Sequence, residues 1–203
     1  WLQSNASSTD VCVMWWDYGN WLSDLGNVTS LADNTTVNST QIANVGFAFM
    51  ANENQSLSLL SSYGQDRVNY IAVFTVLQVY QTDSSGISFV VFPAGYGDEG
   101  KWVWMARISG QEKQRFIDDG FITEAEAWTD ETAFGQTNTQ TGMWEWNNRG
   151  LNCTVEMLMN FVQQQYATRI SAQGNYTITP DHTATAPKYF KEAYFAGIDV
   201  DPY

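Results

Sequence analysis

Trp15-Trp16-Asp17-Tyr18-Gly19 places two indole N–H donors beside one carboxylate within five residues. A hydroxyl group carries one donor and two acceptor lone pairs, an indole only donates, and an ionised Asp only accepts. Together the three side chains suit one Ser or Thr hydroxyl: both indoles donate to its oxygen and Asp17 accepts its proton. That is the chemistry of recognition rather than of bond making. A second group runs from Asp98 through Lys101 to Met105, an acid, a base and a thioether at i, i+3 and i+7 on one face of an expected helix. Each group also has a structural explanation. Nine Trp make neighbouring indoles ordinary core material. Asp98 after Gly97 would cap or charge a helix start, Lys101 would pair with it, and Met105 would fill core space.

The elements that must position these groups are legible in outline. Val28 to Ala32 reads as a short strand, Asp33 to Asn38 as turn, and Ser39 or Thr40 as the cap of a helix whose apolar side is Ile42, Val45, Phe49 and Met50. Glu53 to Tyr63 continues as a second helix, burying Leu57, Leu59 and Leu60 and ended by Gly64. Val68 to Val79 has the Val, Ile, Phe and Tyr density of one central strand covered on both faces. Ile87 to Phe92 is its neighbour through Asp83-Ser84-Ser85-Gly86, and Pro93 to Gly97 closes that run. From Asp98 the pattern is helical through Trp102, Met105 and Ile108 to Gly110. Thr154 to Ile170 is the clearest later helix, with Leu158, Phe161 and Val162 inward and Gln163 to Gln165 as a polar stretch. Residues 130–148 and 172–203 predict irregular segments packed by Trp144, Trp146 and further aromatic residues.

Composition narrows the function. The 203 residues suit one domain with a sizeable core, and a net charge of −13 disfavours nucleic acid and anionic membrane surfaces. The longest uncharged apolar-rich run, between Arg67 and Asp83, is too short and too polar to span a bilayer. The chain begins at Trp1 without a Met or a signal-like segment, which fits a fragment whose upstream part is absent. Asn-X-Ser/Thr occurs at Asn5, Asn27, Asn34, Asn38, Asn54, Asn152 and Asn175. Chance pairing of this composition predicts roughly 2.5 such triplets, so the excess points to an N-glycosylating compartment or to an Asn/Thr-rich surface suited to extracellular life. Cys12 and Cys153 are the only cysteines and are too far apart for a close-spaced metal motif. A Cys12–Cys153 disulfide would stabilise by about 4–5 kcal/mol in the chain-entropy model, and two buried free thiols are the equal alternative.

Taken in this order, WWDYG at 15–19 and Asp98-x-x-Lys101-x-x-x-Met105 resemble the two motifs of the oligosaccharyltransferase catalytic subunit family. The stretch from Lys101 to Ile108 is similar to that family's aromatic, Met-containing helix. The resemblance covers roughly the first 110 residues, and the rest only by position. It implies an α+β fold: a mainly helical single domain over residues 1–203 with a small sheet. This would be the C-terminal extramembrane domain of a membrane enzyme of compact archaeal type, its transmembrane N-terminal half absent. It implies an extracytoplasmic location and transfer of a dolichyl-(pyro)phosphate-linked oligosaccharide to Asn in Asn-X-Ser/Thr by the full-length protein, with the isolated domain inactive. Trp15, Trp16 and Asp17 would then bind the +2 hydroxyl and Met105 the Thr methyl. Tyr18 and Gly19 would shape the turn, and Asp98 and Lys101 would brace the opposing helix. No catalytic residue or metal ligand is expected here, and a divalent Mn or Mg ion would belong to the membrane part. The implied partners are the acceptor protein and the lipid-linked donor, with the enzyme working as a single subunit.

The competing reading is an extracellular carbohydrate-binding or lectin-like domain that stacks sugars on exposed rings. A glycoside hydrolase would need two facing carboxylates, and Asp118-Asp119, Glu124/Glu126 and Asp130-Glu131 supply candidates without a recognisable spacing. Asp199-Val-Asp201 has the D-x-D pattern of nucleotide-sugar transferases but reads as a solvated tail, and His182 as a surface residue.

Overall fold

The computed structural model describes residues 1–64, 67–174, 176–181 and 185–196. Asn175, His182 and Asp199-Val-Asp201, singled out in the sequence, lie outside the described residues. The chain opens with a single helical turn, α1 (Leu2–Asn5), then β1 (Val11–Val13). After the Trp cluster and a π-helical turn at Trp21–Leu25 comes β2 (Thr29–Ser30), shorter than the five-residue strand expected. α2 (Ser39–Met50) is capped by Asn38, one residue before the expected Ser39 or Thr40, its side chain accepting from Gln41 N at 3.3 Å. α3 (Glu53–Ser62) opens on a capping box, with Gln55 N donating to Asn52 Oδ1 at 3.1 Å and Asn52 N donating to Gln55 Oε1 at 3.3 Å. Gly64 follows in a left-handed conformation, φ +122°.

The expected single strand over 68–79 is two strands in two sheets. β3 (Val68–Ile71) runs parallel to β1, giving the order β2-β1-β3, while β4 (Thr75–Gln81) pairs antiparallel with β5 (Ser88–Gly97). The break comes at residues 72–74: Ala72 N still donates to Val13 O at 2.8 Å, but Phe74 N donates to the Asp98 carboxylate at 2.8 Å. A side chain has taken the bond a continuous ladder would use. β4 is therefore an edge strand, with Val76, Val79 and Tyr80 exposed rather than covered on both faces. β5 does not stop at Phe92. It runs through Pro93 to Gly97, and Pro93 lies beyond the Ser88–Val91 stretch that pairs on its other side, where a missing N–H leaves no partner unsatisfied.

α4 (Trp102–Gln111) and α5 (Lys113–Asp118) follow, then a hairpin of β6 (Gly135–Thr137) and β7 (Trp144–Trp146), the short α6 (Asn148–Leu151), the long α7 (Thr154–Gln173) and β8 (Thr177–Pro180), parallel to β5. The fold is α+β as expected, with two three-stranded sheets and a hairpin in place of one sheet. The core is built around α2, buried throughout from Val45 to Met50 rather than along one stripe. Phe47 stacks on Phe116 at 4.1 Å and on Trp128 at 5.3 Å. Gly46 lets α4 close on α2, since a Cβ there would stand 2.8 Å from Met105 O. Leu57 is only half-buried, and Gln163, expected within a polar stretch, is buried at 2% exposure. Glu53 holds the final described segment by accepting from Lys188 N at 2.9 Å, Tyr189 N at 2.6 Å and Phe190 N at 2.9 Å.

Candidate functional site

β1 delivers Trp15 into a 3₁₀ turn, Trp16–Tyr18, closed by Tyr18 N donating to Trp15 O at 2.9 Å. Gly19 follows for want of space: a Cβ there would stand 2.1 Å from Ala32 O and 2.6 Å from the Asp33 Cα. The turn therefore lies directly on the backbone that leaves β2, and only a residue without a side chain permits it. Trp15 is 1% exposed and its ring meets that of Trp16 edge-on at 6.2 Å. The Tyr18 ring lies against Trp21 at 5.1 Å and Phe74 at 5.7 Å, and its hydroxyl is held above the usual tyrosine range by burial and then by the Asp98 charge.

The two sequence groups meet. Lys101 Nζ lies 2.6 Å from Asp17 Oδ2, both partly exposed, so Lys101 pairs with the first group and not with Asp98. That hydrogen bond raises the Lys101 ammonium above its ordinary range, against the opposing effect of desolvation. Asp98 does not cap α4 either, since no side chain caps that helix. It sits in a 3₁₀ turn, Asp98–Gly100, at 0% exposure; its Oδ2 accepts from Phe74 N while its own N donates to Phe74 O at 2.8 Å. Burial pushes the Asp98 carboxyl up to about 7, opposed by the Phe74 bond and helped by the charge of Asp17. Glu99, which sequence reasoning passed over, accepts from the Thr75 hydroxyl and is pushed up to about 8, again mainly by burial and then by the charges of Asp98 and Glu156. Asp98 Oδ1 and Glu99 Oε2 are both buried without a hydrogen-bond partner.

The Trp16 indole N–H is likewise shut from solvent with no acceptor among the described residues. Such a donor costs about 1–3 kcal/mol, and native structures rarely leave one idle without a reason. In the same turn Asp17 spends Oδ2 on Lys101 and has a second oxygen to offer. A waiting donor and a pre-oriented acceptor are what binding one hydroxyl requires. Met105 stands apart from this pair. It is 0% exposed and packs in the core against α2.

Several of the other candidate carboxylates are engaged by neighbouring side chains or backbone. Glu131 is ion-paired with Arg107, Asp130 accepts from Thr132 N at 3.0 Å, Glu126 accepts from Gln55 at 3.0 Å, and Asp118 accepts from Gln114 at 2.9 Å. Cys12 and Cys153 are free, buried thiols in separate clusters, Cys12 with Met14 and Leu22 and Cys153 with α2, so of the two equal alternatives the structure has the free thiols. Burial pushes the Cys12 thiol up to about 12 and raises Cys153 as well. Among the described residues no three His, Cys, Asp or Glu side chains gather as a metal site, and no helix is long and apolar enough to cross a membrane.

No protein-family model matches the chain. Over 111 residues, 54% of its length, it is 34% identical to the dolichyl-diphosphooligosaccharide–protein glycosyltransferase subunit STT3B of Oryza sativa subsp. japonica, and the match spans 13% of that protein. The STT3 subunit of Dictyostelium discoideum is 29% identical over 133 residues, 66% of this chain and 16% of its own. The STT3 subunit of Saccharomyces cerevisiae is 34% identical over 109 residues, 54% of this chain and 13% of its own. The chain thus spans a small part of the relatives it matches. All three are named as subunits, which gives the expected single-subunit organisation no support.

Proposed function

We propose that this chain is the acceptor-reading domain of an oligosaccharyltransferase. The Trp16 and Trp15 indoles donate to the +2 Ser or Thr hydroxyl of Asn-X-Ser/Thr, and the free oxygen of Asp17 accepts its proton. The observation that carries the reading is the buried, unpartnered Trp16 N–H in the same turn as an Asp17 already oriented by Lys101. Similarity to dolichyl-diphosphooligosaccharide–protein glycosyltransferase subunits supports the reaction class. In this proposal the domain lies on the extracytoplasmic face of the membrane, and the donor and a divalent Mn or Mg ion are held by a membrane-embedded part outside this chain. The ion and that part supply the chemistry of transfer. This chain's residues bind the acceptor, fix its register and leave the Asn two residues upstream free to react. It follows that the isolated domain is inactive.

Specificity comes from desolvation. An acceptor with Ala or Val at +2 leaves the Trp16 donor and the Asp17 oxygen unmet, which a site built for a hydroxyl rejects by up to about 10⁴-fold. The test is transfer from lipid-linked oligosaccharide to an Asn-X-Thr peptide by membranes carrying the full-length protein, with Asp17→Ala beside the parent. Transfer abolished by the substitution supports the reading. Transfer that survives it moves acceptor recognition elsewhere, and no transfer with any donor returns the chain to a glycan-binding domain.

A further inference from the structure

Phe74 belongs to neither sequence group, yet it touches both. Its backbone is clasped to Asp98 by two bonds of 2.8 Å, Phe74 N to Asp98 Oδ2 and Asp98 N to Phe74 O. Gly97 admits that approach, since it takes φ +79° and a Cβ there would stand 2.4 Å from Phe74 O. The Phe74 ring meets Tyr18 at 5.7 Å and Trp21 at 6.0 Å, both edge-on, while Tyr18 and Trp21 lie 5.1 Å apart. Three rings therefore close on one another directly after the Trp16–Asp17 turn. The same residue marks where the chain leaves the β1 sheet for the β5 sheet, a crossing that no regular ladder fixes.

The geometry points to Phe74 as a positioning residue of the hydroxyl-reading site: clamped by Asp98, it holds Tyr18 and so fixes the turn carrying Trp16 and Asp17. This inference rests on the proposed function. It gives the two groups a second mechanical link beside the Lys101–Asp17 ion pair. The exposed pair fixes one carboxylate, whereas the clasp and ring cluster fix the backbone from which both polar contacts project. A shift of about 1 Å in such a turn is enough to change rates by two orders of magnitude.

The experiment uses the full-length enzyme in membranes and reads the ratio of transfer to Thr-bearing over Val-bearing acceptor, which does not depend on how much enzyme is folded. Phe74→Leu and Asp98→Ala should each lower that ratio about tenfold. Asp98→Asn, whose amide oxygen still accepts from Phe74 N, should restore it. Trp21→Leu, at a ring that is 50% exposed and so tolerant of replacement, should lower it several-fold even if the buried variants fail to accumulate. Ratios unchanged in Phe74→Leu and Trp21→Leu, while Trp16→Phe lowers its own, would overturn the positioning role alone. A parent enzyme indifferent to Thr and Val would overturn the role and the site reading together.

Discussion

At the scale of single residues the site is a contest between stability and use. An unpartnered buried N–H at Trp16 and unpartnered oxygens on Asp98 and Glu99 cost folding free energy. Ser56, Trp144 and Gln163 also carry such atoms, but Trp16, Asp98 and Glu99 belong to turns joined by the Lys101–Asp17 pair. Lys101 shows the other side of the contest. Its pair with Asp17 is partly exposed, and such pairs contribute at most about 1 kcal/mol. Lys101→Ala should therefore shift the thermal midpoint by no more than about 4 °C, as a scan of the purified domain would record. It should weaken acceptor use far more, because Asp17 loses the contact that orients it. Matched losses of stability and acceptor use would make Lys101 a structural residue only. From the sequence, the types Trp15, Trp16 and Asp17 and their chemistry were readable, but the partner of Lys101 was not. Spacing within one helix favoured Asp98, and only the tertiary approach of the β1 turn shows that Asp17 wins.

At the scale of elements, Asp98 converts burial into pH dependence. Its carboxyl is raised in the fold from an unfolded value near 3.8 to about 7, mainly by desolvation. The folded state then holds a proton that the unfolded chain has released, so this contribution is intact below about pH 4 and is lost as pH rises through about 7. In urea unfolding, Asp98→Asn should match the parent near pH 4 and exceed it in midpoint above pH 7. A parent that gains on the variant as pH rises would contradict the burial argument. The helices were legible because capping residues and apolar spacing act locally: Asn38, Asn52 and Gly64 mark boundaries within a residue of those expected. The strand over 68–79 was not, because its composition is uniformly β-forming and its interruption is imposed by Asp98, some 24 residues later in the chain. Sequence periodicity holds no trace of a carboxylate arriving from elsewhere.

At the scale of the whole molecule, the fold sorts its own Asn-X-Ser/Thr triplets. Asn5, Asn27, Asn34, Asn38, Asn54 and Asn152 are all exposed, but their +2 residues differ. Ser56 and Thr154 are 0% exposed, and the Thr154 hydroxyl donates to Ala51 O at 2.9 Å, so the triplets at Asn54 and Asn152 present no hydroxyl once folded. Glycopeptide mass spectrometry of folded protein exposed to an N-glycosylating system should find those two unmodified and modification confined to sites such as Asn5 and Asn27, whose Ser7 and Thr29 are exposed. Full occupancy at Asn152 would mean that modification precedes folding. The two cysteines follow the same logic of placement: unfolded without reductant, the chain should titrate two thiols. The excess of triplets was plain in the sequence, and which of them remain readable depends on packing that only the fold reveals. The most direct test of the central claim compares full-length parent and Trp16→Phe on two acceptors that differ only in Thr or its isostere Val at +2. The account predicts a strong Thr preference in the parent that falls about five- to tenfold in Trp16→Phe, the share of one hydrogen bond. An unchanged Thr to Val ratio would contradict it.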